Sequence, residues 1–338
     1  MISKTPPLTS LNVDLSVRVT PIKPKLVGHD PYLSDLDGRD IWVLRDDELR
    51  GFWGTKARKY AAITGHCLAN DIKHIIATGG VNSNNLAAAA ILCTEAGIAL
   101  TVFAVEDHSE GGTAGNRMLI KLALPPGRLV LIPRAEKSSI PILMQDLASK
   151  LKLDGSPSLV LQEGGGCMEA VDGCLTLADE ITRTRSEWAD QKPPAHVFID
   201  SGTALSSASL AAGLLKKGFD KTTKLHIIQM AGFEEQVEAA FREWVTPVTG
   251  VTWADVSHFT RVYRPLSPRS YGATSEALFE FIRYMAREHG ILTDPVYSGK
   301  LFMRAFDLIR GQNCRGRIVI IHTGGVTGLM GYNQIAED

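Results

Sequence analysis

The sequence predicts an α/β fold with mainly parallel sheets, organised as two domains. The chain has 338 residues, which is longer than a single hydrophobic core usually serves. Short, nearly continuous apolar runs recur along it, as expected for strands that are buried on both faces of a parallel sheet. From residue 56 onward these runs alternate with segments of helical periodicity. This alternation is typical of α/β architecture with right-handed crossovers.

The elements follow one another in a simple order. Residues 1–40 are rich in Pro and turn-forming residues and predict an arm with one short strand. The predicted strands after it are Ile41–Leu44, His74–Thr78, Ala99–Val105, Arg128–Pro133, Ser158–Gln162, His196–Asp200, Lys224–Met230, His258–Tyr263 and Arg317–His322. The predicted helices are Asn84–Ala96, Thr113–Ala123, Ile140–Lys150, Ala170–Thr184, Ser206–Lys217, Glu234–Glu243, Thr274–Glu288 and Lys300–Arg310. Ligands of such sheets bind at the carboxyl ends of strands, so the residues after each strand are the main candidates for a site.

Composition excludes several classes of function. Hydrophobic residues make up 44% of the chain, charged residues 22%, and the formal net charge is −1. Without a basic block, nucleic acid binding and attraction to anionic membranes have no electrostatic support. No apolar run approaches the ~20 residues that span a bilayer, and Met1–Pro7 lacks the apolar core of a signal peptide. We therefore expect a cytoplasmic protein. The odd number of cysteines and the scattered histidines predict neither disulfides nor a metal site.

Two polar turns come directly after predicted strands and open predicted helices. In Gly79–Asn85, two glycines permit a tight turn and Ser83 or Asn84 can cap the next helix. A helix N-terminus of this kind either is an ordinary capped turn or binds an anion such as a substrate carboxylate. The hydroxyl-rich loop Ser201–Ser209 is suited to a phosphate. It lacks the Gly-x-x-x-x-Gly-Lys pattern of nucleotide triphosphate sites.

Two further segments carry candidate catalytic side chains. Gly54–Lys59 contains three cations in four residues. Such a segment is either a solvated helix start or a Schiff-base lysine flanked by cations that hold a phosphate. Tyr271 and Tyr297 each stand beside Gly or Ser. Each phenol is either a core residue or an acid, base or substrate contact.

Taken in order, these segments resemble the tryptophan-synthase-β-like (fold type II) pyridoxal-phosphate enzymes. Within that group they are similar to the branch that contains 1-aminocyclopropane-1-carboxylate deaminase and D-cysteine desulfhydrase. The resemblance extends from about Thr20 to Tyr332. It implies pyridoxal 5'-phosphate as cofactor, a small amino acid as substrate, and a homodimer. It also implies a smaller domain at residues 57–168, inserted in a larger domain of residues 1–56 and 169–338, with the cofactor in the cleft between them.

The resemblance implies a role for each candidate residue. Lys56 falls on the Schiff-base lysine that also removes the substrate α-proton, and Lys59 falls on a basic residue near the phosphate. The turn that binds the substrate carboxylate and the cofactor ring hydroxyl comprises Ser83, Asn84 and Asn85, with Ser83 among the catalytic residues. The phosphate loop comprises Thr203, Ala204, Leu205 and Ser206. The two catalytic, substrate-contacting tyrosines are Tyr271 and Tyr297, and Arg45-Asp46-Asp47 matches a strand-end motif of the family.

The residues beside the cofactor ring separate the two branches. The cyclopropane deaminases have Glu after the second Tyr and Leu before the late Gly-Gly pair, whereas this chain has Ser298 and Thr323, as the desulfhydrases do. A carboxylate near the pyridine nitrogen keeps it protonated and makes the ring a strong electron sink. We expect Thr323 to contact the ring nitrogen, with Ser298 beside it. Neutral hydroxyls leave the nitrogen largely unprotonated, which favours β-elimination over ring opening.

Other reactions remain open at this point. Thr55 stands where the family usually has Asn, Ala204-Leu205 replace a Gly-Ser pair, and Glu163–Met168 replaces a Pro-x-Gly-Gly-Ser type of segment. The alternatives are β-replacement or another reaction on a different amino acid, cyclopropane ring opening, and a cofactor-binding protein that has lost catalysis.

Overall fold

The computed structural model describes residues 15–23, 30–36, 38–106, 114–188, 190–266 and 268–336. Much of the predicted arm and the predicted helix start at Thr113 lie outside these described residues. The chain divides into two compact units. Unit 1 consists mainly of Lys56–Gly173 and Thr327–Asn333, and unit 2 mainly of Ser16–Thr55 and Cys174–Val326.

The secondary structure follows the predicted alternation of strands and helices. The strands of the described chain are β1 Val19–Ile22, β2 Asp40–Leu44, β3 His74–Gly80, β4 Ala99–Val105, β5 Leu129–Ile132, β6 Ser158–Val160, β7 His196–Ser201, β8 Lys224–Gln229, β9 Thr260–Tyr263 and β10 Arg317–Ile321. The α-helices are α1 Thr55–Ala69, α2 Asn84–Glu95, α3 Gly115–Ala123, α4 Ile140–Leu153, α5 Val171–Thr184, α6 Leu205–Lys216, α7 Glu234–Ala240, α8 Thr246–Thr249, α9 Trp253–Val256, α10 Glu276–His289, α11 Ser298–Gly311 and α12 Val326–Leu329.

Unit 2 is built on a six-stranded sheet with the order β1-β2-β10-β7-β8-β9. All neighbouring strands are parallel except β1 and β2, which pair antiparallel. The central strands β7, β8 and β10 are almost wholly buried, which explains their nearly continuous apolar sequences. The carboxyl ends of β7 and β10 are therefore neighbours at one edge of the sheet.

Unit 1 is built on a four-stranded parallel sheet with the order β5-β4-β3-β6. Helix α2 follows β3 through a short turn at residues 81–83. Its Ala-rich face is buried, so its N-terminus has a fixed position at the carboxyl end of β3.

Each predicted strand is confirmed, with differences at the strand ends. The 15-residue helix α1 is missing from the predicted helices, since only a possible helix start at Gly54–Lys59 is expected there, and the short helices α8, α9 and α12 are missing too. Helix α11 begins at Ser298 and not at Lys300, because Asp294 accepts hydrogen bonds from the backbone N–H groups of Tyr297 and Ser298 and thereby starts the helix earlier. Helix α7 ends at Ala240, where the chain continues as a π-helical turn. The predicted strand from His258 begins only at Thr260.

A buried histidine of β8 makes the stability of unit 2 sensitive to acid. The His226 ring is stacked between Phe198, at 4.2 Å, and Tyr263, at 5.7 Å, and burial lowers the pKa of His226 to about 3. The unfolded chain takes up this proton below about pH 6.5. Stability is therefore lost as the pH falls from about 6.5 towards 3, because over that range the unfolded chain binds the proton and the folded chain does not.

We expect His226→Phe to lose less thermal stability than the wild type between pH 7 and pH 4, since Phe preserves the stacking but cannot bind a proton. The measurement is the unfolding midpoint at a series of pH values. His258→Phe is the matched control, because His258 is exposed. An acid loss in His226→Phe equal to that of wild type and control would contradict this account.

Candidate active site

The loop after β7 leads into a helix start that has no side-chain cap. Ala204 is the N-cap of α6 and adopts a left-handed conformation (φ 66°), and it supplies no capping oxygen. A left-handed alanine costs about 1–2 kcal/mol, and the first N–H groups of a helix have no intrahelical acceptor. The predicted residues Thr203, Leu205 and Ser206 surround this start. The loop therefore presents unpaired donors of the kind that bind phosphate.

Neighbouring side chains hold that loop in place. The Gln229 amide, at the end of β8, donates to the Gly202 and Ala231 carbonyl oxygens, both at 2.6 Å. The hydroxyls of Ser201 and Ser207 are 2.8 Å apart. These contacts come from two adjacent strands and α6 itself, and together they hold the loop in place.

The two predicted tyrosines lie together in unit 2. Their hydroxyls are 2.9 Å apart and their rings meet edge to face at 5.9 Å. Tyr271 is 55% exposed, whereas Tyr297 is half-buried. The Tyr297 hydroxyl lies close to Gly202, because a Cβ added at Gly202 would be only 3.2 Å from it. Burial raises the pKa of Tyr297 well above its usual value. Tyr271, Asp294 and Asp200 raise it further by smaller amounts. Tyr297 is thus a protonated phenol at neutral pH, beside the loop that opens α6.

A buried lysine of α11 supports the Tyr271 loop. The Lys300 ammonium donates to the Ser270 carbonyl oxygen at 3.0 Å, and the side chain is nearly fully buried. Burial lowers the pKa of Lys300, and Asp294 partly opposes that shift. The contact fixes Ser270, next to Tyr271, to helix α11, whose N-cap is Tyr297.

The Ser298 hydroxyl is already committed to the turn that starts α11. It donates to the Asp294 carboxylate at 2.7 Å and accepts from the Asp294 N–H at 2.8 Å. The same carboxylate accepts from the backbone of Val296, Tyr297 and Ser298. The Ser298 hydroxyl proton therefore serves the fold, and the expectation that Ser298 lies beside the cofactor ring stays a prediction.

Thr323, directly after β10, is anchored at two points. Its hydroxyl donates to the buried Asp200 carboxylate at 2.7 Å. Its carbonyl oxygen accepts from the Thr55 N–H at 3.0 Å. Gly54 packs on the same carbonyl. The residue before Lys56 is therefore fixed to the carboxyl end of β10.

In unit 1, Lys56 is the second residue of α1 and is half-buried, and Lys59 lies one turn further along. The Lys59 ammonium donates to the Gly164 carbonyl oxygen at 2.6 Å. At Gly165 (φ +73°) a Cβ would lie 3.1 Å from the Lys59 side chain. The segment that departs from the family pattern, Glu163–Met168, is thus a tight turn built against α1.

The turn after β3 has the predicted helix-capping geometry. The Ser83 hydroxyl oxygen accepts from the N–H groups of Asn85 and Leu86 at 3.1 and 3.4 Å. Its own proton is donated to no group in the described chain, so it is available to a ligand. The Asn84 amide oxygen accepts from Asn116 at 2.6 Å, and Asn116 in turn accepts from Thr327 at 2.8 Å.

The Asn85 side chain contacts Tyr60 and the 164–165 turn, and its role as a substrate contact stays a prediction. In the amide orientation that satisfies its neighbours, it donates to the Gly164 carbonyl and accepts from Tyr60 and from the Gly165 N–H, each at 3.1 Å. Its backbone N–H is taken by Ser83. Asn85 therefore holds the 164–165 turn against the base of α2.

Sequence reasoning missed Asp200 and Asn116. The signal for Asp200 is its position at the end of an apolar strand, which is an unusual place for a carboxylate. No local pattern identified Asn116, because its role depends on contacts with α2 and residue 327.

Comparison with known protein families identifies the family of this chain. The family model described as pyridoxal-phosphate dependent enzyme matches residues 14–324. The chain belongs to this family. It is therefore an enzyme that uses pyridoxal 5'-phosphate.

Relatives and solved structures narrow the likeness. The D-cysteine desulfhydrase of Serratia proteamaculans (strain 568) is 27% identical over 322 residues, which cover 89% of this chain and 91% of the relative. That of Salmonella typhi is 27% identical over 317 residues, covering 90% and 92%. A solved ACC deaminase homologue has a TM-score of 0.75 at 22% identity and covers 98% of both chains. A hydrogen sulfide-producing enzyme from Fusobacterium nucleatum has a TM-score of 0.59 at 15% identity, covering 93% of this chain and 97% of that one. The two structures show that the fold is that of fold type II pyridoxal-phosphate enzymes.

The donor set fits this cofactor. The uncapped start of α6 offers backbone N–H groups to a phosphate ester. The Thr323 hydroxyl oxygen is buried and accepts from no donor in the described chain, so it can still accept a hydrogen bond.

No helix of the described chain is long and apolar enough to cross a bilayer. No cluster of metal-ligating side chains occurs among the described residues.

Proposed function

We propose that the enzyme catalyses β-elimination on a small amino acid with a β-leaving group, with D-cysteine as the leading substrate. D-cysteine and water would give pyruvate, ammonia and hydrogen sulfide. The observation that carries the proposal is the Tyr271–Tyr297 hydroxyl pair at 2.9 Å. A proton donor near the departing sulfur can assist an elimination, and the Tyr297 phenol, which is protonated at neutral pH, can serve as that donor. The relatives named D-cysteine desulfhydrase support the choice of substrate.

When bound, the cofactor supplies the electron-withdrawing ring that stabilises negative charge at the substrate α-carbon. We assign Lys56 as the residue that binds the cofactor covalently and takes the α-proton. Thr203–Ser206 would bind the phosphate through the start of α6, and Lys59 would add positive charge near it. Thr323 would meet the ring nitrogen. Because Ser298 is bonded to Asp294, we assign it to the turn that presents Tyr297.

The substrate carboxylate would bind at the start of α2. The Ser83 hydroxyl can donate a hydrogen bond there, and the helix N-terminus favours a negative charge. Asn84 would contact the cofactor ring hydroxyl, held in place by Asn116. Fixing the carboxylate restricts rotation of the substrate and so sets the direction of its α-C–H bond.

We further propose a cytoplasmic homodimer whose smaller domain comprises residues 57–168. Size-exclusion chromatography with light scattering tests the dimer, and a monomer at all working concentrations would contradict it.

The decisive experiment is a substrate screen with the purified holoenzyme. We expect sulfide and pyruvate in equal amounts from D-cysteine, and little from L-cysteine. Release of 2-oxobutyrate from 1-aminocyclopropane-1-carboxylate would favour ring opening, and a thioether product on addition of a second thiol would favour β-replacement. Absence of turnover with every amino acid would indicate a binding protein without catalysis.

Tyr297→Phe tests the proton donor. We expect kcat/KM for D-cysteine to fall by about 10²–10⁴-fold, the range for loss of a general acid. A β-chloro analogue leaves as chloride, which needs no proton, so its rate should fall far less. Tyr263→Phe is the matched control, because it removes a phenol that accepts from Gln312 in the same unit. Equal losses for both substrates would show that Tyr297 does not protonate the leaving group.

A further inference from the structure

A buried carboxylate stands directly behind the residue proposed to meet the cofactor ring nitrogen. Asp200 is the fifth residue of β7 and is 6% exposed, and Thr323 is 3% exposed. Strands β7 and β10 are parallel neighbours in register, which brings these two residues together at the carboxyl edge of the sheet. The Thr323 hydroxyl lies 2.7 Å from the Asp200 carboxylate and donates to it.

This contact decides what the hydroxyl can do for a ligand. A threonine hydroxyl has one proton and two lone pairs, and an ionised carboxylate can only accept. With its proton given to Asp200, the hydroxyl of Thr323 can offer only lone pairs to a bound group. The Thr323 carbonyl is held by Thr55 at 3.0 Å, so the backbone of residue 323 is also held in place.

The negative charge also reaches the rest of the unit 2 site. Asp200 is among the groups that raise the pKa of Tyr297. It immediately precedes the loop that opens α6. The Asp200 carboxylate therefore affects both Thr323, through a hydrogen bond, and the pKa of Tyr297.

We propose that Asp200 is a positioning residue that acts through Thr323 to keep the ring nitrogen of the bound cofactor protonated. A pyridine nitrogen can bond to a lone pair only if it carries a proton, and the nearby negative charge stabilises the resulting cation. The inference rests on the proposed role of Thr323. It differs from the expectation that a neutral hydroxyl leaves the nitrogen unprotonated, because that expectation considered Thr323 without its partner Asp200.

The test is the ¹⁵N NMR shift of ring-labelled pyridoxal 5'-phosphate in the holoenzyme at neutral pH. We expect the wild-type signal at the position of a protonated pyridine nitrogen. In Asp200→Asn the amide can donate to the hydroxyl, whose proton is then free to face the ring. The signal should therefore move to the unprotonated position.

Two variants of Thr323 and one control complete the set. Thr323→Ser keeps the hydroxyl and should keep the protonated signal, whereas Thr323→Val should lose it. Asp307→Asn removes a carboxylate of the same unit that is paired with Arg304 and should leave the signal unchanged.

The outcomes separate this inference from the proposed function. Failure of the wild type to bind the cofactor covalently, or to release sulfide, would overturn the proposed function. An active wild type with an unprotonated ring nitrogen would overturn only the role of Asp200, whether or not the variants fold. A folded Asp200→Asn holoenzyme with an unshifted signal would do the same.

Discussion

Lys56→Ala is expected to abolish turnover and to lose the visible absorbance of the covalently held cofactor. Removal of the general base alone costs up to about 10⁴-fold, and the same change removes the nucleophile that binds the cofactor. The spectrum is recorded after desalting, so that only retained cofactor contributes. Borohydride reduction then fixes any covalent link, and mass spectrometry locates it.

Lys59→Met is the matched comparison, since the two lysines lie three residues apart in the same helix. Lys59 donates to the Gly164 carbonyl oxygen and is proposed to lie near the phosphate. Its variant should therefore retain the covalent absorbance at saturating cofactor but bind the cofactor more weakly. If reduced Lys56→Ala still carried the added mass of the cofactor, Lys56 would lose both of its proposed roles.

The order of the strands and of most longer helices could be predicted because it depends on local patterns, whereas helix α1 was not among the predicted helices. Buried parallel strands require long apolar runs, and β7, β8 and β10 show them plainly. The Ser83 cap was also predictable, because a short polar side chain before a helix is a local signal. Both features follow from a few adjacent residues.

The direction of individual side chains was not predictable in the same way. Asn85 and Ser83 belong to one turn, yet Asn85 faces the 164–165 turn, which is far away in the sequence. The bond from the Ser298 hydroxyl to Asp294 was not predicted either, although both residues lie within one short segment.

Thr323 shows how a contact from a neighbouring strand bears on the property that a side chain alone suggests. Its uncharged hydroxyl suggested a neutral ring environment. The structure adds a carboxylate from the neighbouring strand, and only the pairing of β7 with β10 brings it there. Chemistry at strand ends therefore depends on sheet order, which a linear reading does not supply.

Substitution of Gly54 is expected to have the second large effect, because Gly54 contacts a segment that is distant in the sequence. It has a φ of +62°, and a Cβ there would lie 2.0 Å from the Thr323 carbonyl oxygen and 2.8 Å from Gly324 Cα. These are backbone atoms, so the chain itself would have to move. The same carbonyl accepts the Thr55 N–H, so the movement would break the contact that fixes the start of α1 beside Lys56.

We expect Gly54→Ala to destabilise the protein by about 3–5 kcal/mol, from backbone strain together with the clash. Covalent cofactor binding should fall with it. Gly51→Ala is the matched control, because Gly51 has a φ of +74° but its Cβ would meet only Trp53 Nε1, at 3.7 Å. That variant carries the strain without the clash and should cost about 1–2 kcal/mol. Denaturant unfolding and cofactor titration are measured on both. Equal losses in the two variants would mean that the left-handed backbone, and not the approach to Thr323, is what requires glycine at residue 54.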